Sequence, residues 1–336
     1  MVQLNIDAQV RPREIIEAVR RLEAGELVGL PTETVYGLAA DADNPAAVAK
    51  IYAAKGRPAD HPVIVHLHRD ADLLRWAAEV PDAARRLAAA FWPGPLTLIL
   101  PRRPGVAEAC AGGQDTIGLR CPSHPVAQAV LAIFKGGQGG LAAPSANRFG
   151  RISPTTAAHV HAELGDDLLV LDGGACAVGI ESSIVDCTVQ PPRMLRPGLL
   201  QVTELAAVLG IASDQLLRAA DDAPRVAGAL PAHYAPRTPL LLRSWEQICR
   251  DLQQLGAPAR IGVLARQAPP AGQVALWVQM PDDPAAYAHA LYAQLRALDQ
   301  VGLDQIWVET LPPAPSWLAL RDRLGRAARG SGAAAA

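Results

Sequence analysis

The sequence predicts an α/β protein in two parts, a larger mixed α/β domain followed by a small parallel three-layer domain. Three observations carry this. Short apolar runs bounded by Gly and Pro alternate with stretches of helical period along the whole chain. Composition changes between Ala219 and Pro239, a stretch rich in Ala, Pro and Asp with little periodicity. The 336 residues, 50% of them hydrophobic, suffice for two cores.

In order, Pro12–Glu23 sets Ile15, Ile16, Val19 and Leu22 on one helix face, with Gly25 near its end. Leu27–Leu30 reads as a buried strand that stops at Pro31, which cannot donate to a sheet ladder. Two threonine hydroxyls, a carboxylate and a phenol follow at once, in Thr32, Glu33, Thr34 and Tyr36, before Gly37. A strand end carrying polar groups is where open α/β sheets place ligands. Asn44 and Pro45 cap a helix running to about Ala54, which delivers Lys55 and Arg57 at its exit. Val63–Leu67 is a strand, and Asp70–Phe91 reads as one or two helices broken near Pro81. The turn at Trp92–Pro95 leads to a strand at Leu96–Leu100. Thr116–Arg120 is a strand, Pro125–Phe134 a helix, and Leu141–Ala143 runs into Pro144, Ser145, Ala146 and Asn147. Pro154–Leu164 is helical; Leu168–Leu171, Ser183–Asp186 and Arg193–Leu195 read as strands, and Val202–Leu209 as a helix. After the Ala/Pro-rich stretch come strands at Leu240–Leu242, Ile261–Ala265, Val274–Met280 and Ile306–Glu309. Helices fall at Trp245–Leu255, Pro284–Leu298 and Trp317–Arg329. The organisation is therefore a first domain over 1–218, a linker over 219–239, a second domain over 240–330 and a frayed tail over 331–336.

A formal net charge of −2 excludes a global basic field that would recruit nucleic acid, leaving a local basic groove open. The five cysteines are odd in number and lack CxxC spacing, which reads as reduced thiols in a cytosolic protein. The first residues, Met1–Asp7, show no basic segment followed by an apolar one, and no apolar run approaches a membrane span. The expected location is cytoplasmic.

Lys55, Gly56, Arg57 and Pro58 place two cations two residues apart around a glycine. Arginine offers a planar fork for phosphate or carboxylate and lysine a point charge, while a solvated helix exit would favour the same cations. Ser145 and Asn147 at a strand end suit a ribose, a phosphate or an amide, or an ordinary Asx turn. His61, His66 and His68 are too few for zinc without cysteine or carboxylate at ligand spacing, so no metal site is expected. His66 and His68, two apart, would share a strand face. The chain contains no GxxxxGK[ST], no GxGxxG after a strand and no GxSxG. The linker carries His233 and Tyr234 framed by Pro231 and Pro236, which a solvated spacer does not need.

Taken together, Pro31–Leu38, Lys55–Pro58, His61–His66 and Pro144–Asn147 resemble the YrdC-like family of threonylcarbamoyl-AMP synthases. Glu181–Asp186, Leu195–Gly198 and His233–Pro236 extend the resemblance, and the layout is similar to the long, two-domain form. The resemblance implies a YrdC-like mixed twisted sheet with helices, plus a smaller Rossmann-like three-layer C-terminal domain. It implies a nucleotidyltransferase that forms threonylcarbamoyl-AMP and pyrophosphate from L-threonine, bicarbonate or CO2, and ATP. Partner proteins then pass the threonylcarbamoyl group to an adenosine beside the anticodon of tRNA, and direct RNA contact is a further implied possibility. Lys55 and Arg57 would be catalytic; with His61, Thr116, Ser145, Asn147, Arg196 and Tyr234 they would hold ATP. Thr34, His66, Arg120 and Ser182 would form the L-threonine pocket, Arg120 suiting the carboxylate. Mg2+ would ride on the ATP phosphates rather than in a protein cage. Two positions depart from the family pattern: His61 stands where Asn is frequent, and Ser183 where Thr is common. Two alternatives remain. One is the related carbamoyl-adenylate step of hydrogenase maturation, whose additional modules this sequence lacks. The other is an RNA-binding or ribosome-assembly module of the same fold without adenylate synthesis. Residues 219–239 are expected to close over the site, with Tyr234 touching the nucleotide.

Overall fold

The computed structural model describes residues 10–218, 222–254, 260–270 and 276–332. Expectations for Ala219–Asp221, for Leu255, for Val274 and Ala275, and for 333–336 fall outside these residues. The chain divides into two units, Met1–Phe149 with Pro154–Ala229, and Gly150–Ser153 with Leu230–Ala336.

Among the described residues the first unit has eight strands: β1 (Val28–Leu30), β2 (Gly37–Asp41), β3 (Val65–Leu67), β4 (Leu96–Pro101), β5 (Thr116–Arg120), β6 (Gly140–Ala142), β7 (Ser183–Asp186) and β8 (Arg193–Arg196). Its helices are α1 (Pro12–Glu23), α2 (Pro45–Lys55), α3 (Asp82–Phe91), α4 (Pro125–Ile133), α5 (Ala157–Leu164), α6 (Val202–Leu209) and α7 (Ser213–Leu216). The sheet order is β1-β2-β6-β3-β5-β4-β7-β8. Two pairs in it, β3/β5 and β4/β7, are parallel and the others antiparallel, so the sheet is mixed as expected. Helices α1 and α4 bury Ile15, Val19, Leu22, Val130 and Leu131 in one core with Leu30, Ala39 and Leu141 of the sheet.

Four of the elements that differ from expectation do so for a local reason. Strand β2 has no polar alternation to reveal it, because all five of its residues are buried. Leu168–Leu171 is not a strand; Val170 makes a single parallel bridge to Gly29, whose missing side chain leaves room for it. Residues 70–80 form one 3-10 turn, Leu73–Arg75, capped by Asp72, and the helix begins only at Asp82. Helix α5 starts at Ala157, where the Thr156 hydroxyl accepts the His159 N–H.

The second unit contains β9 (Leu240–Arg243), β10 (Ile261–Ala265), β11 (Leu276–Gln279) and β12 (Gln305–Glu309), with α8 (Trp245–Gln254), α9 (Pro284–Gln300) and α10 (Leu318–Gly330). The strands run in order β11-β10-β12-β9, and every pair is parallel. Ile248 and Leu252 of α8 pack with Val263 and Trp307 of the sheet. Among the described residues no helix is long and apolar enough to cross a membrane.

Gly140 opens β6 beneath the fully buried Trp76. A Cβ there would lie 2.6 Å from both Val65 Cγ1 and the Trp76 ring. Overpacking of this kind costs roughly 1–3 kcal/mol. Gly140→Ala is expected to lower the urea midpoint with the denaturant slope unchanged. An unaltered midpoint would contradict the packing described here.

Candidate active site

The stretch Pro31–Leu38 leaves β1 and is fixed by backbone hydrogen bonds to several other segments. The N–H groups of Tyr36 and Leu38 donate to the carbonyls of Pro154 and Pro144, and Ala146 N–H donates to the Tyr36 carbonyl. Val178 and Gly179 donate to the carbonyls of Glu33 and Thr34. Thr32 Oγ1 lies 2.9 Å from Thr34 Oγ1 and donates to the Val35 carbonyl. The polar cluster seen in the sequence is thus buried and immobilised.

One group of expected residues gathers at the end of α2. Gly56 takes a left-handed C-cap, φ +62°, which turns the chain after Lys55. Lys55 is buried, and its ammonium donates to the carbonyls of Ser145 and Asn147. Burial, and then the like charge of Arg57, push its pKa well below the ordinary lysine value. Arg57 is also buried; it donates to the Pro62 carbonyl at 2.7 Å and lies 5.7 Å from the Phe149 ring centroid. His61 meets the same ring edge-on at 5.4 Å, and burial followed by Arg57 lowers its pKa. Asn147 is fully buried and Ser145 half-buried. Two adjacent buried cations that repel one another, beside strand-end Ser and Asn, form a place where an anion is favoured.

A second group lies on the sheet. His66 of β3 and Arg120 of β5 are register partners, both buried. Arg120 Nη2 donates to Glu33 Oε1 at 2.7 Å, whereas Arg120 Nε and His66 Nδ1 are buried with no protein partner. Thr97 of β4, opposite Arg120 in register, has its hydroxyl 2.8 Å from Ser182 Oγ. Arg196 donates from Nε to the Ser182 carbonyl and from Nη2 to Ser182 Oγ. Thr34 is fully buried, with its hydroxyl on Thr32 and its carbonyl accepting the Gly179 N–H. Ser183, at the position noted for its departure from Thr, keeps a buried hydroxyl with no protein partner. Unpartnered buried polar atoms cost energy unless a ligand or water meets them, and Arg120 Nε and His66 Nδ1 are two such atoms on register partners of β5 and β3.

Thr116 lines a narrow cavity with Ile64, Ile99, Ile184 and Val226. Residues 225–227 of the expected linker are packed on this face. Val226 joins the Ile99 and Ile184 cluster, Gln114 exchanges two hydrogen bonds with the Arg225 backbone, and Arg196 Nη1 donates to the Ala227 carbonyl at 2.7 Å. Tyr234 belongs to the second unit. It has φ +61°, stacks on Tyr292 at 6.0 Å, and has the Arg323 guanidinium 5.0 Å from its ring.

His66 and His68 have different surroundings: His68 sits past the end of β3 with its ring 3.7 Å from Asp70. Among the described residues no group of three or more His, Cys, Asp or Glu side chains is placed to hold a metal ion. Glu33 and Thr97 received no site role from the sequence. Their signal was present but mute: a carboxylate between two threonines, and one hydroxyl inside an apolar strand.

The chain resembles known proteins along most of its length. Residues 20–198 match the Sua5/YciO/YrdC family, described as "Telomere recombination". Residues 200–329 match the family described as "Threonylcarbamoyl-AMP synthase, C-terminal domain". The threonylcarbamoyl-AMP synthase of Bacillus subtilis is 37% identical over 328 residues, covering 94% of this chain and 93% of the relative. That of Pyrococcus abyssi is 35% identical over 334 residues, covering 96% of each. Among solved structures, P. abyssi Sua5 complexed with L-threonine has a TM-score of 0.83 at 32% identity, covering 98% of both chains.

Burial, and then the Arg120 charge, lower the His66 pKa from 6.5 to about 3. Between those values the unfolded chain binds a proton that the folded chain refuses. Stability is therefore lost as pH falls below about 6.5, at up to ~1.4 kcal/mol per pH unit from this group. Between pH 7 and pH 5 the protein should lose on the order of 2 kcal/mol more than its His66→Gln variant in urea unfolding. Parallel losses in the two proteins would mean that His66 titrates normally.

Proposed function

Because the chain belongs to the threonylcarbamoyl-AMP synthase family, we propose that its site joins L-threonine, bicarbonate or CO2 and ATP into L-threonylcarbamoyl-AMP, with release of pyrophosphate. From bicarbonate the balance also releases one water. The threonine nitrogen forms the carbamate C–N bond. A carbamate oxygen then attacks the α-phosphorus as the bond to pyrophosphate breaks. No protein nucleophile is required, so positioning and charge stabilisation carry the catalysis.

The observation that carries this reading is the pairing of two buried, charge-ready groups on one scaffold. Lys55 and Arg57, with Ser145 and Asn147, suit the triphosphate and ribose of ATP, and His61 lies beside them. Arg196 and Thr116 flank the same face of the sheet and are assigned to the nucleotide as well. Arg120, His66, Thr34 and Ser182 suit a small amino acid, with Arg120 on its carboxylate. Magnesium enters as Mg–ATP. The product is handed to proteins that modify tRNA beside the anticodon, and the site of action is the cytoplasm. Residues 219–239 are assigned to closing the site around a water-labile adenylate, with Tyr234 reaching the nucleotide.

Pyrophosphate release by the purified protein should require L-threonine, bicarbonate and ATP together. Lys55→Ala and Arg57→Ala should each lower it about 10–100-fold, since a charge-assisted bond contributes roughly 1.5–3 kcal/mol. Near-normal turnover in both would place the phosphates elsewhere. No pyrophosphate release under any combination of substrates would favour the RNA-binding alternative, and release that ignores threonine would remove threonine as the substrate. ATP with threonine should also protect 222–239 from limited proteolysis; equal cleavage with and without them would remove the closing role.

A further inference from the structure

Glu33 has no role in the reading above, yet its carboxylate is buried and held at both oxygens. Oε1 accepts the Arg120 Nη2 hydrogen bond at 2.7 Å, and Oε2 accepts the Ser123 backbone N–H at 3.1 Å. Its backbone is fixed too, because the Glu33 carbonyl accepts the Val178 N–H at 2.7 Å. The side chains of Glu33 and Arg120 are 8% and 4% exposed, so solvent does not screen the pair.

A guanidinium carries five N–H donors in a rigid fork. In Arg120 the Nη2 position is tied to Glu33, whereas Nε is buried without a protein partner. His66, its neighbour in register across β3 and β5, carries a second such atom, Nδ1. We propose that Glu33 is a positioning residue: by anchoring one arm of the Arg120 fork to the turn that enters α4, it leaves the remaining donors oriented beside His66 for the carboxylate of the amino-acid substrate. The inference rests on the threonine assignment made above and deepens it.

The physical case has two parts. A buried arginine without a counter-charge is expensive, so Glu33 compensates Arg120 and holds it in place before substrate arrives. Once the fork is fixed, binding does not have to freeze a flexible side chain, and the substrate meets donors already aimed. A merely structural ion pair would contribute to stability without distinguishing one substrate from the other.

The test is steady-state pyrophosphate release by the full-length chain, with L-threonine and ATP varied separately. Glu33→Gln keeps the shape and removes the charge. It is expected to raise the threonine KM at least tenfold and to leave the ATP KM within twofold. In an Arg120→Lys background, which has no planar fork to orient, the same substitution should change the threonine KM at least fivefold less. Should Glu33→Gln fail to fold, Glu33→Asp, with the carboxylate set back by one methylene, reads the same split. An unchanged threonine KM, equal rises in both KM values, or full additivity with Arg120→Lys would overturn the proposal. Inactive wild-type protein would overturn the synthase reading itself, whereas an active wild type with an indifferent Glu33→Gln overturns only the role of Glu33.

Discussion

The first unit depends on the way Pro31–Leu38 is pinned. Pro31 ends β1, and the chain then gives up sheet pairing until β2 begins at Gly37. In that gap its backbone groups are satisfied by Pro144, Ala146, Pro154, Val178 and Gly179, which come from loops far apart in sequence. Buried peptide groups must find partners, so these bonds fix the loops relative to one another. The same bonds bring the strand end holding Ser145 and Asn147 and the loop preceding Ser182 up to Thr34 and Glu33. Both candidate substrate groups therefore share a single rigid frame.

Within that frame the electrostatics divide the labour. Lys55 and Arg57 repel each other in a buried place where Lys55 finds only backbone carbonyls among its hydrogen-bond partners. Their charges are relieved when an anion arrives. Arg120 is instead compensated in advance by Glu33 and keeps part of its fork uncommitted. The first arrangement suits a polyanion. The second suits one small carboxylate, for which orientation matters more than total charge.

Much of this was legible in the sequence, and the gaps have physical causes. Charged residues at a helix exit with a glycine between them announce themselves, and Gly56 does take the left-handed turn that redirects the chain between them. Strand β2 could not announce itself, since Gly37–Asp41 is buried throughout and gives no alternation. The apolar run Leu168–Leu171 looked like a strand because its composition is that of one, yet it makes a single bridge beside Gly29. Glu33 stayed unassigned because its partner lies 87 residues away, and a carboxylate's meaning is set by what it faces. The Ala/Pro-rich stretch read as a linker that closes over the site, but that Val226 packs with Ile99 and Ile184 and Arg225 bonds Gln114 is something no local pattern encodes.

The central claim is that one pocket assembles three substrates around these two charge arrangements. Its most direct test is to follow labelled carbon. The purified protein is incubated with 13C-bicarbonate, ATP and L-threonine, and the adenylates are analysed by mass spectrometry. The account predicts a threonylcarbamoyl-AMP species carrying the label, absent when threonine is omitted. AMP and pyrophosphate formed without any labelled adenylate, or a labelled adenylate formed without threonine, would contradict it.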